Sequence, residues 1–437
     1  MNSAQSTADD ASENLPERLQ QLEQNYQQLL SAGLRLDLTR GKPCSAQLEL
    51  SNAMDSILDN DFRAEDGTDC RNYGGGLGIP EARRFAAQYL GCAPNQVLVG
   101  GNSSLQLMYQ CVLYNHIFGT EGAESWQQEA GSSQVKFLCP TPGYDRHFAV
   151  CEALGIDMVP VRLTATGPDM DMVEDAVKSD PLIKGIWCVP KYSNPSGIVY
   201  SAETVQRLAR LGLIAGKNFR IIWDNAYAAH HLVDDPPQLS NILELSADHG
   251  TLSNVIAVGS TSKITFAGAG LAFLASSQDN IQSLAKHLSY VTIGPDKINQ
   301  LRHIRFLKDM ENLAAHMEKH RQIIGPKFTL VLDALEQAFG GRTLNGAAFG
   351  HWTIPQGGYF ILFDTLPGLA DQVVSLASEA GVKLTPAGAT WPYGNDPDNT
   401  NIRLAPTFPD LDEIQTAMEV FTTCVELATL RQAVSGD

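Results

Sequence analysis

The chain has 437 residues, of which 43% are hydrophobic, so it can bury a large core and is expected to form two domains. Its 31 basic and 49 acidic residues give a formal net charge of −18 at pH 7. A surface this acidic argues against a nucleic-acid backbone or an anionic membrane as a partner.

The N-terminal sequence and the pattern of cysteines indicate the cellular compartment. Residues 1–14 are polar and acidic and predict a disordered tail rather than a signal peptide, and no apolar run approaches membrane-spanning length. The eight cysteines form no Cys-x-x-Cys pair, which argues against a zinc ribbon or a redox motif. Several lie in apolar runs, as reduced core cysteines do, so the cytoplasm is the simplest compartment.

The first predicted helix covers residues 15–30. Its apolar side chains recur at helical spacing and include Leu19, Leu22, Tyr26 and Leu29. A loop rich in turn residues follows at 40–43. Residues 15–45 are therefore expected to form an N-terminal arm that is part of the smaller domain.

From about residue 97 to residue 276, short apolar runs alternate with helical stretches. The predicted strands are 96–99, 135–139, 158–163, 185–189, 220–223, 254–258 and 270–275. Apolar strands separated by helices predict a mostly parallel seven-stranded sheet with helices on both faces. The expected fold class is α/β, with a large domain at residues 46–325.

A long helical region is predicted over about 295–339, and a second group of elements follows it. Strands are predicted at 352–354, 359–363 and 402–404, with helices at 369–380 and 410–432. These elements predict a smaller α+β domain at residues 326–437, and the long helix is expected to extend into it from the large domain.

Ligands of mostly parallel sheets bind beyond the carboxyl ends of the strands, so polar residues that follow strands are candidates for a site. The strand 254–258 leads into Ser260-Thr261-Ser262-Lys263, and the segment after Lys263 is nearly all small or apolar. A lysine there loses hydration, which favours the neutral amine that attacks a carbonyl. The hydroxyls of Ser260 and Ser262 suit a phosphate, so the segment predicts pyridoxal phosphate (PLP) held by Lys263 as an imine. A lysine that extends to the surface is the alternative, and Lys191 is a rival for the role.

Two further strands end in residues that suit a pyridine ring. Asp224 follows the strand 220–223 and can keep a ring nitrogen protonated, while Tyr227 can reach the phenolate oxygen of the cofactor. Asn194 follows the strand 185–189 and can donate a hydrogen bond to the same oxygen. The simpler interpretations are a helix N-cap for Asp224 and a tight Asn-Pro turn for Asn194.

The predicted strand that ends at residue 99 is followed by Gly100-Gly101-Asn102-Ser103-Ser104 and then by a helix. Glycines, hydroxyls and a helix N-terminus together predict a phosphate cradle, with Asn102, Ser103 and Ser104 as candidate contacts. An ordinary serine N-cap is the simpler interpretation. Tyr144 follows the strand that ends at residue 139, and it can stack on the pyridine ring or pack as a loop residue.

Arg403 lies in an apolar predicted strand. Because arginine is seldom buried without a partner and its fork fits a carboxylate, Arg403 is a candidate for holding a substrate α-carboxylate, with a structural salt bridge as the alternative. His316 and His320 lie four residues apart on the long predicted helix, a spacing that can bind metal. The metalloprotease pattern needs a glutamate directly after the first histidine, and none follows His316, so no metal is assigned.

Taken in chain order, these motifs resemble the fold-type I PLP-dependent aminotransferases of class I/II, from about residue 36 to residue 425. The matching motifs are Asn-Pro-x-Gly at 194–197, Asp-x-x-Tyr at 224–227, Ser-x-Ser-Lys at 260–263, Gly-Gly-Tyr-Phe at 357–360 and the run 72–83. Segments 38–43 and 260–270 resemble a divergent, MocR-like branch of the aspartate aminotransferases.

This resemblance implies an activity and its partners. It implies an enzyme that moves the amino group of an amino acid, with L-aspartate as first choice, to 2-oxoglutarate through a Lys263 internal aldimine. Its partners would be a small-molecule amino acid, a 2-oxo acid and a second copy of the chain, whose phosphate site Tyr73 would reach in a homodimer. It also implies that Gly41, Asn194 and Arg403 contact the substrate. The alternatives are another aminotransferase, a β-eliminating lyase of the same fold, or a PLP-sensing regulatory module.

The sequence departs from the family pattern at two positions, one for the cofactor phosphate and one for a substrate side-chain carboxylate. Most relatives carry a phosphate-binding arginine eight positions after the imine lysine, and here that position is Leu271. Aspartate-specific relatives also use a cross-subunit arginine for the side-chain carboxylate, and its approximate counterpart here is Ser289. Candidate substitutes for that arginine are Arg40, Lys42, Lys286 and His287.

Overall fold

A computed structural model of the protein describes residues 15–120 and 123–435, so the predicted tail at 1–14 lies outside the described residues. The strands are β1 Leu36–Asp37, β2 Val97–Val99, β3 Lys136–Thr141, β4 Asp157–Thr164, β5 Gly167–Pro168, β6 Ile183–Cys188, β7 Arg220–Asp224, β8 Val255–Ser260, β9 Ala272–Ala275, β10 Thr343–Leu344, β11 Ala347–Ala348, β12 Gly350–Trp352, β13 Ile361–Thr365, β14 Val382–Lys383 and β15 Asn401–Leu404. The helices are α1 Leu15–Ser31, α2 Ser45–Glu49, α3 Pro80–Leu90, α4 Ser104–Ile117, α5 Trp126–Ala130, α6 Asp145–Ala153, α7 Met170–Ser179, α8 Ala202–Ala209, α9 Ile242–Asp248, α10 Gln278–Leu288, α11 Lys297–Leu307, α12 Met310–Phe339, α13 Ala370–Glu379 and α14 Leu411–Ser435.

The large sheet has the strand order β2-β9-β8-β7-β6-β3-β4-β5. Strands β8, β7, β6, β3 and β4 pair in parallel, and β9 lies antiparallel between β2 and β8. The expected α/β fold with a mostly parallel sheet is therefore confirmed. The sheet has an eighth strand, β5, which pairs antiparallel with β4 and is too short, at two residues, to produce a sequence pattern.

The two faces of this sheet carry separate cores, because successive side chains of a strand point to opposite faces. Trp187 and Ile222 pack in one core with residues of α4 and α6, whereas Ile221 and Trp223 pack in the other with residues of α8 and α9. This alternation places the side chain of Asp224, two residues after Ile222, on the same face as Trp187.

A three-stranded antiparallel sheet of order β12-β13-β15 packs with α13, α14 and the second half of α12. The N-terminal segment joins this group, because β1 pairs in parallel with β14 and α1 packs along α14. Arg18 of α1 forms a bidentate ion pair with Glu426, at 2.9 Å for each contact. The arm at the start of the described residues is thus fixed to this smaller unit.

The predicted helical region at 295–339 is divided into α11 and α12. Lys308 between them has a φ of 58°, and the carboxylate of Asp309 caps α12 by accepting the N–H of Asn312 at 2.8 Å. Helix α12 then runs without a break through residue 325, so the predicted domain boundary falls inside one helix.

All eight cysteines are free thiols, and all except Cys92 are buried. Within residues 15–120 and 123–435, no helix is long and apolar enough to cross a membrane.

Candidate active site

The residues singled out at strand ends lie along one edge of the large sheet. Strands β2, β3, β6, β7 and β8 run in the same direction, so their carboxyl ends share this edge. The side chains that follow these five strands are, in chain order, Asn102 to Ser104, Tyr144, Asn194, Asp224 and Lys263.

Lys263 lies in the loop after β8, half-buried between two aromatic side chains. Its Nζ is 4.8 Å from the centroid of the Tyr227 ring and 5.9 Å from that of the Tyr359 ring. The start of the loop is fixed by Thr261, whose N–H donates to the carbonyl of Leu271 and whose hydroxyl accepts the N–H of Leu271, both at 2.8 Å. No acceptor within the described part of the chain forms a hydrogen bond or an ion pair with Nζ, so the amine is available to a ligand.

Asp224 is the last residue of β7 and is only 3% exposed. His147 of α6 donates from Nε2 to Asp224 Oδ2 at 3.1 Å, and the His147 ring is itself stacked on Trp187 with 4.3 Å between centroids. The other carboxylate oxygen, Oδ1, is buried and has no hydrogen-bond partner among the described residues. Because a buried carboxylate oxygen without a donor is costly, this atom fits the N–H of a protonated pyridine ring. His147 could not be found from the sequence, since one histidine inside a helix follows no recognisable pattern.

Tyr227 and Tyr144 are the tyrosines at this edge. Burial, with a smaller contribution from the carboxylate of Asp224, raises the pKa of Tyr227 well above its usual value. Burial raises the pKa of Tyr144 to about 12, although the nearby Lys263 opposes that rise. Tyr144 meets the edge of His147 with 4.9 Å between centroids. Both hydroxyls are therefore protonated near neutral pH and can donate hydrogen bonds.

The segment before α4 contacts the segment before Lys263. Ser262 donates from Oγ to the carbonyl of Asn102 at 3.0 Å, and Ser260 donates to the Ser262 hydroxyl at 3.3 Å. Asn102 donates from its amide to the carbonyl of Gly268 at 3.0 Å. Ser103 directly precedes α4 and makes no side-chain capping bond, so its hydroxyl and the free N–H groups of Ser104 and the first turn remain available to an anion.

Leu271 does not contribute to this cradle. Its side chain is 1% exposed and packs in the same core as Val99 and Phe273. The position that holds an arginine in the resembled family is therefore turned into the apolar interior.

Arg403 lies in β15 with its guanidinium buried. One nitrogen, Nη1, donates to Asp145 at 3.1 Å and to the side-chain oxygen of Asn194 at 3.3 Å, and Nη2 donates to the Thr385 hydroxyl at 3.3 Å. The guanidinium carbon lies 4.9 Å from the centroid of the Phe360 ring, and Nε is buried without a partner in the described structure. The structure thus joins Arg403 to Asn194, and it adds Asp145, which the sequence did not single out.

Gly41 and Tyr73 differ in their relation to this site. Gly41 packs so closely on the ring of Phe360 that a methyl group at this position would lie 2.5 Å from Cε1. Tyr73 is 80% exposed. Lys297 fixes the loop around it by donating to the carbonyls of Asn72 at 2.8 Å and Gly74 at 2.7 Å.

The basic residues considered for a side-chain carboxylate lie in different places. Lys42 follows Gly41 and places its Nζ 3.7 Å from the centroid of the Phe408 ring. His287 of α10 is stacked on Phe118 with 4.8 Å between centroids, and its neighbour Lys286 belongs to the same helix. Arg40 is exposed.

His316 and His320 contact each other, with 3.1 Å between their Nε2 atoms, and His316 Nε2 lies 2.8 Å from the carbonyl oxygen of Ile264. The described residues contain no group of three or more side chains able to hold a metal ion. Lys191 is buried near the Tyr192 ring, and burial lowers the pKa of its amine. It lines a separate cavity with Trp223, on the opposite face of the sheet from Trp187.

The family model described as aspartate amino-transferase matches residues 11–436 of the chain. The aspartate aminotransferase of Corynebacterium glutamicum is 43% identical over 411 residues, which cover 93% of this chain and 92% of that protein. The crystal structure of an aspartate transaminase from the same species superposes with a TM-score of 0.90 and 41% identity, covering 98% of this chain and 100% of that one. The α-aminoadipate aminotransferase of Thermus thermophilus, solved with N-(5'-phosphopyridoxyl)-L-leucine, shares the fold with a TM-score of 0.73 at 20% identity, over 97% of this chain and 98% of its own.

Proposed function

The chain belongs to the aspartate aminotransferase family, and on this basis we propose that it moves the amino group of L-aspartate to 2-oxoglutarate. It is a PLP-dependent aminotransferase, as its family and its fold imply. One observation carries the assignment of the site: within residues 15–120 and 123–435, a buried carboxylate oxygen of Asp224 has no donor, an amine of Lys263 has no acceptor, and both lie at the same edge of the sheet.

The residues at this edge fit the parts of the cofactor. When bound, PLP supplies an aldehyde that captures amines and a ring that accepts the electron pair left by a departing α-proton. We assign Lys263 to the aldehyde and Asp224, held by His147, to the ring nitrogen. The ring oxygen is assigned to Asn194 and Tyr227, and the face of the ring to Tyr144. The phosphate is assigned to the cradle of Asn102, Ser103, Ser104, Ser260 and Ser262.

Lys263 would also act as the base. Its Nζ lies beside two aromatic rings and has no hydrogen-bond partner among the described residues, so it can take the α-proton of the substrate and return it at a neighbouring carbon. Arg403 would orient the α-carboxylate, because its fork reaches Asn194 at the site and its Nε has no other partner among the described residues. Gly41 would support the substrate site through Phe360, because the missing side chain lets that ring lie against the guanidinium of Arg403.

A homodimer with shared sites forms part of the proposal. Tyr73 is 80% exposed and Tyr290 is 77% exposed, and the segments that carry them touch where Gly294 packs on the backbone of Gly74. Val291 and Ile293 extend this exposed apolar surface, which is larger than scattered surface residues require. We propose that a second copy covers it and that Tyr73 reaches the phosphate of that copy. The eight free thiols support a cytoplasmic location.

The test of the function uses the visible absorption of the PLP-loaded protein. The protein should be yellow and should bleach on addition of aspartate, and 2-oxoglutarate should restore the colour. Borohydride reduction followed by peptide mapping should label Lys263, and Asp224→Asn should bind PLP but lose most of the bleaching rate. Bleaching by alanine or an aromatic amino acid but not by aspartate would reject the named substrate, and a label on Lys191 would reject the assigned lysine.

A further inference from the structure

A buried polar cluster lies directly behind the backbone of Lys263, and its hydrogen bonds are not used in the function proposed above. It consists of Gln47 in α2, His320 in α12 and Tyr359 before β13, and it is called the Gln47 network below. All three side chains are at most 1% exposed. Polar groups buried so deeply are costly unless they are hydrogen-bonded, so their arrangement is informative.

The direction of each hydrogen bond in the Gln47 network follows from one backbone contact. The N–H of Cys44 donates to Gln47 Oε1 at 3.1 Å, which identifies the amide oxygen and leaves Nε2 on the other side. Nε2 lies 3.0 Å from the hydroxyl oxygen of Tyr359 and 3.0 Å from Nδ1 of His320. An amide nitrogen has two N–H groups and accepts nothing, so both of these atoms must accept from Gln47.

The direction of these bonds decides which group Tyr359 can donate to in the segment that carries Lys263. Tyr359 can then use its only proton to donate to the carbonyl oxygen of Lys263, which lies 3.4 Å away. Burial lowers the pKa of His320 to about 4, so its ring is neutral near pH 7. The neutral ring can therefore accept at Nδ1, while its Nε2 lies 3.1 Å from Nε2 of His316.

Gln47 therefore orders the donor that meets the peptide carbonyl of Lys263. We infer that Gln47 is a positioning residue for Lys263, and that it acts through Tyr359 without touching substrate or cofactor. This inference rests on the proposed role of Lys263. The amine of Lys263 must reach two places in the reaction, so the peptide that carries it has to stay in one position.

The variant Gln47→Glu tests this inference because it keeps the shape and reverses the polarity. A glutamate oxygen can still accept from Cys44, but the other oxygen cannot donate to Tyr359 or His320. We expect the maximal rate of single-turnover bleaching by aspartate to fall about tenfold to a hundredfold. The dissociation constant of aspartate should change less than about twofold, because Arg403 is untouched. The rate of PLP release from the holoenzyme, followed by its absorption, should rise.

Further variants separate positioning from general loss of stability. Asn115→Asp makes the same amide-to-carboxylate change in a buried side chain of α4 that donates to the carbonyl of Cys111 at 2.8 Å, and it should leave the bleaching rate and PLP release unchanged. Gln47→Met and Tyr359→Phe should each slow bleaching. The double variant should be no slower than the slower single variant, because both act on one chain of hydrogen bonds.

Two results would overturn the inference. One is a Gln47→Glu enzyme whose bleaching rate and PLP release match those of Asn115→Asp, and the other is additive loss in the double variant. If Gln47→Glu does not fold, Gln47→Met and Tyr359→Phe carry the same comparison. Borohydride mapping on the same samples distinguishes the failures: a label on another lysine refutes the proposed function, whereas a label on Lys263 with unchanged kinetics refutes only the role of Gln47.

Discussion

The variant Gly41→Ala is expected to damage the substrate site through one buried ring. The added methyl group would lie 2.5 Å from Cε1 of Phe360, and Cζ is closer still. Carbon atoms in contact stay about 3.5–4.0 Å apart, so the ring or the loop must yield by at least about 1 Å. Phe360 is buried, with the guanidinium carbon of Arg403 4.9 Å from its centroid and the Tyr227 ring against it at 6.3 Å. The displacement therefore reaches the group assigned to the substrate carboxylate.

The expected magnitudes follow from this overlap. Inserting a methyl group into a packed interior costs about 1–3 kcal/mol of unfolding free energy. A misplacement of about 1 Å at a reacting site costs up to about a hundredfold in rate, so kcat/KM for aspartate should fall by about tenfold to a hundredfold. Steady-state kinetics and urea unfolding measure the two effects on the same protein.

Two controls make this prediction specific. Gly325→Ala adds a methyl group in α12 where no atom outside the neighbouring helix residues lies within 4 Å, so the kinetics should be unchanged. Gly41→Ala combined with Phe360→Leu returns space to the loop and should recover part of kcat/KM. Wild-type kinetics and stability in Gly41→Ala alone would refute the reasoning, because they would show that the loop yields without moving Phe360.

Three further predictions follow from single contacts. Asp145→Asn removes a carboxylate that lies 3.1 Å from Arg403 and competes with the substrate carboxylate for its charge, so the KM for aspartate should fall severalfold in steady-state assays. An increased KM would show that Asp145 supports Arg403 instead. His303 is fully buried, and burial lowers its pKa from 6.5 to about 4. As the pH falls through this range, the unfolded chain takes up a proton that the folded chain excludes. The folded state should therefore lose about 3 kcal/mol of stability between about pH 6.5 and pH 4. In His303→Asn, the slope of unfolding free energy against pH in that window, measured with urea, should be smaller by about one proton, and an unchanged slope would contradict this. Leu271→Arg should lower the melting temperature without tightening PLP binding, because it puts a charge into an apolar core. Tighter PLP binding would show that this position can reach the phosphate.

Much of the sheet and of the edge that carries the site could be predicted because both depend on local patterns. Apolar runs such as 220–223 are strands that are covered on both faces, and in a parallel sheet the residues after such strands must share one edge. Asp224, Asn194 and the segment before Lys263 could therefore be grouped without knowing a single distance. The two-residue strand β5 could not be predicted, since two residues carry no periodicity.

What the sequence did not reveal depends on how distant helices pack. Gln47 and His320 are separated by 273 positions and meet only because α2 lies against α12. His147 reaches Asp224 from the first turns of α6, and nothing in the residues around it distinguishes it from a core histidine. The spacing of His316 and His320 does not reveal their contacts, because their Nε2 atoms lie 3.1 Å apart and His316 Nε2 lies 2.8 Å from a carbonyl oxygen far away in the sequence.

The contacts of Lys263 divide into two kinds, and the division bears on how one residue can serve two tasks. Its backbone carbonyl is met by directional donors, with Tyr359 at 3.4 Å and His230 Nε2 at 3.3 Å, and hydrogen bonds of this kind weaken steeply when their angle changes. Its Nζ has no hydrogen-bond partner among the described residues and lies beside the rings of Tyr227 and Tyr359, and contact with a ring face varies slowly as the amine moves across it. The main chain is thus fixed by bonds that resist displacement, while the amine is held by contacts that permit it. Tyr359 takes part in both, since its hydroxyl holds the peptide and its ring borders the path of the amine, so Tyr359→Phe should loosen the peptide and leave the surroundings of the amine intact.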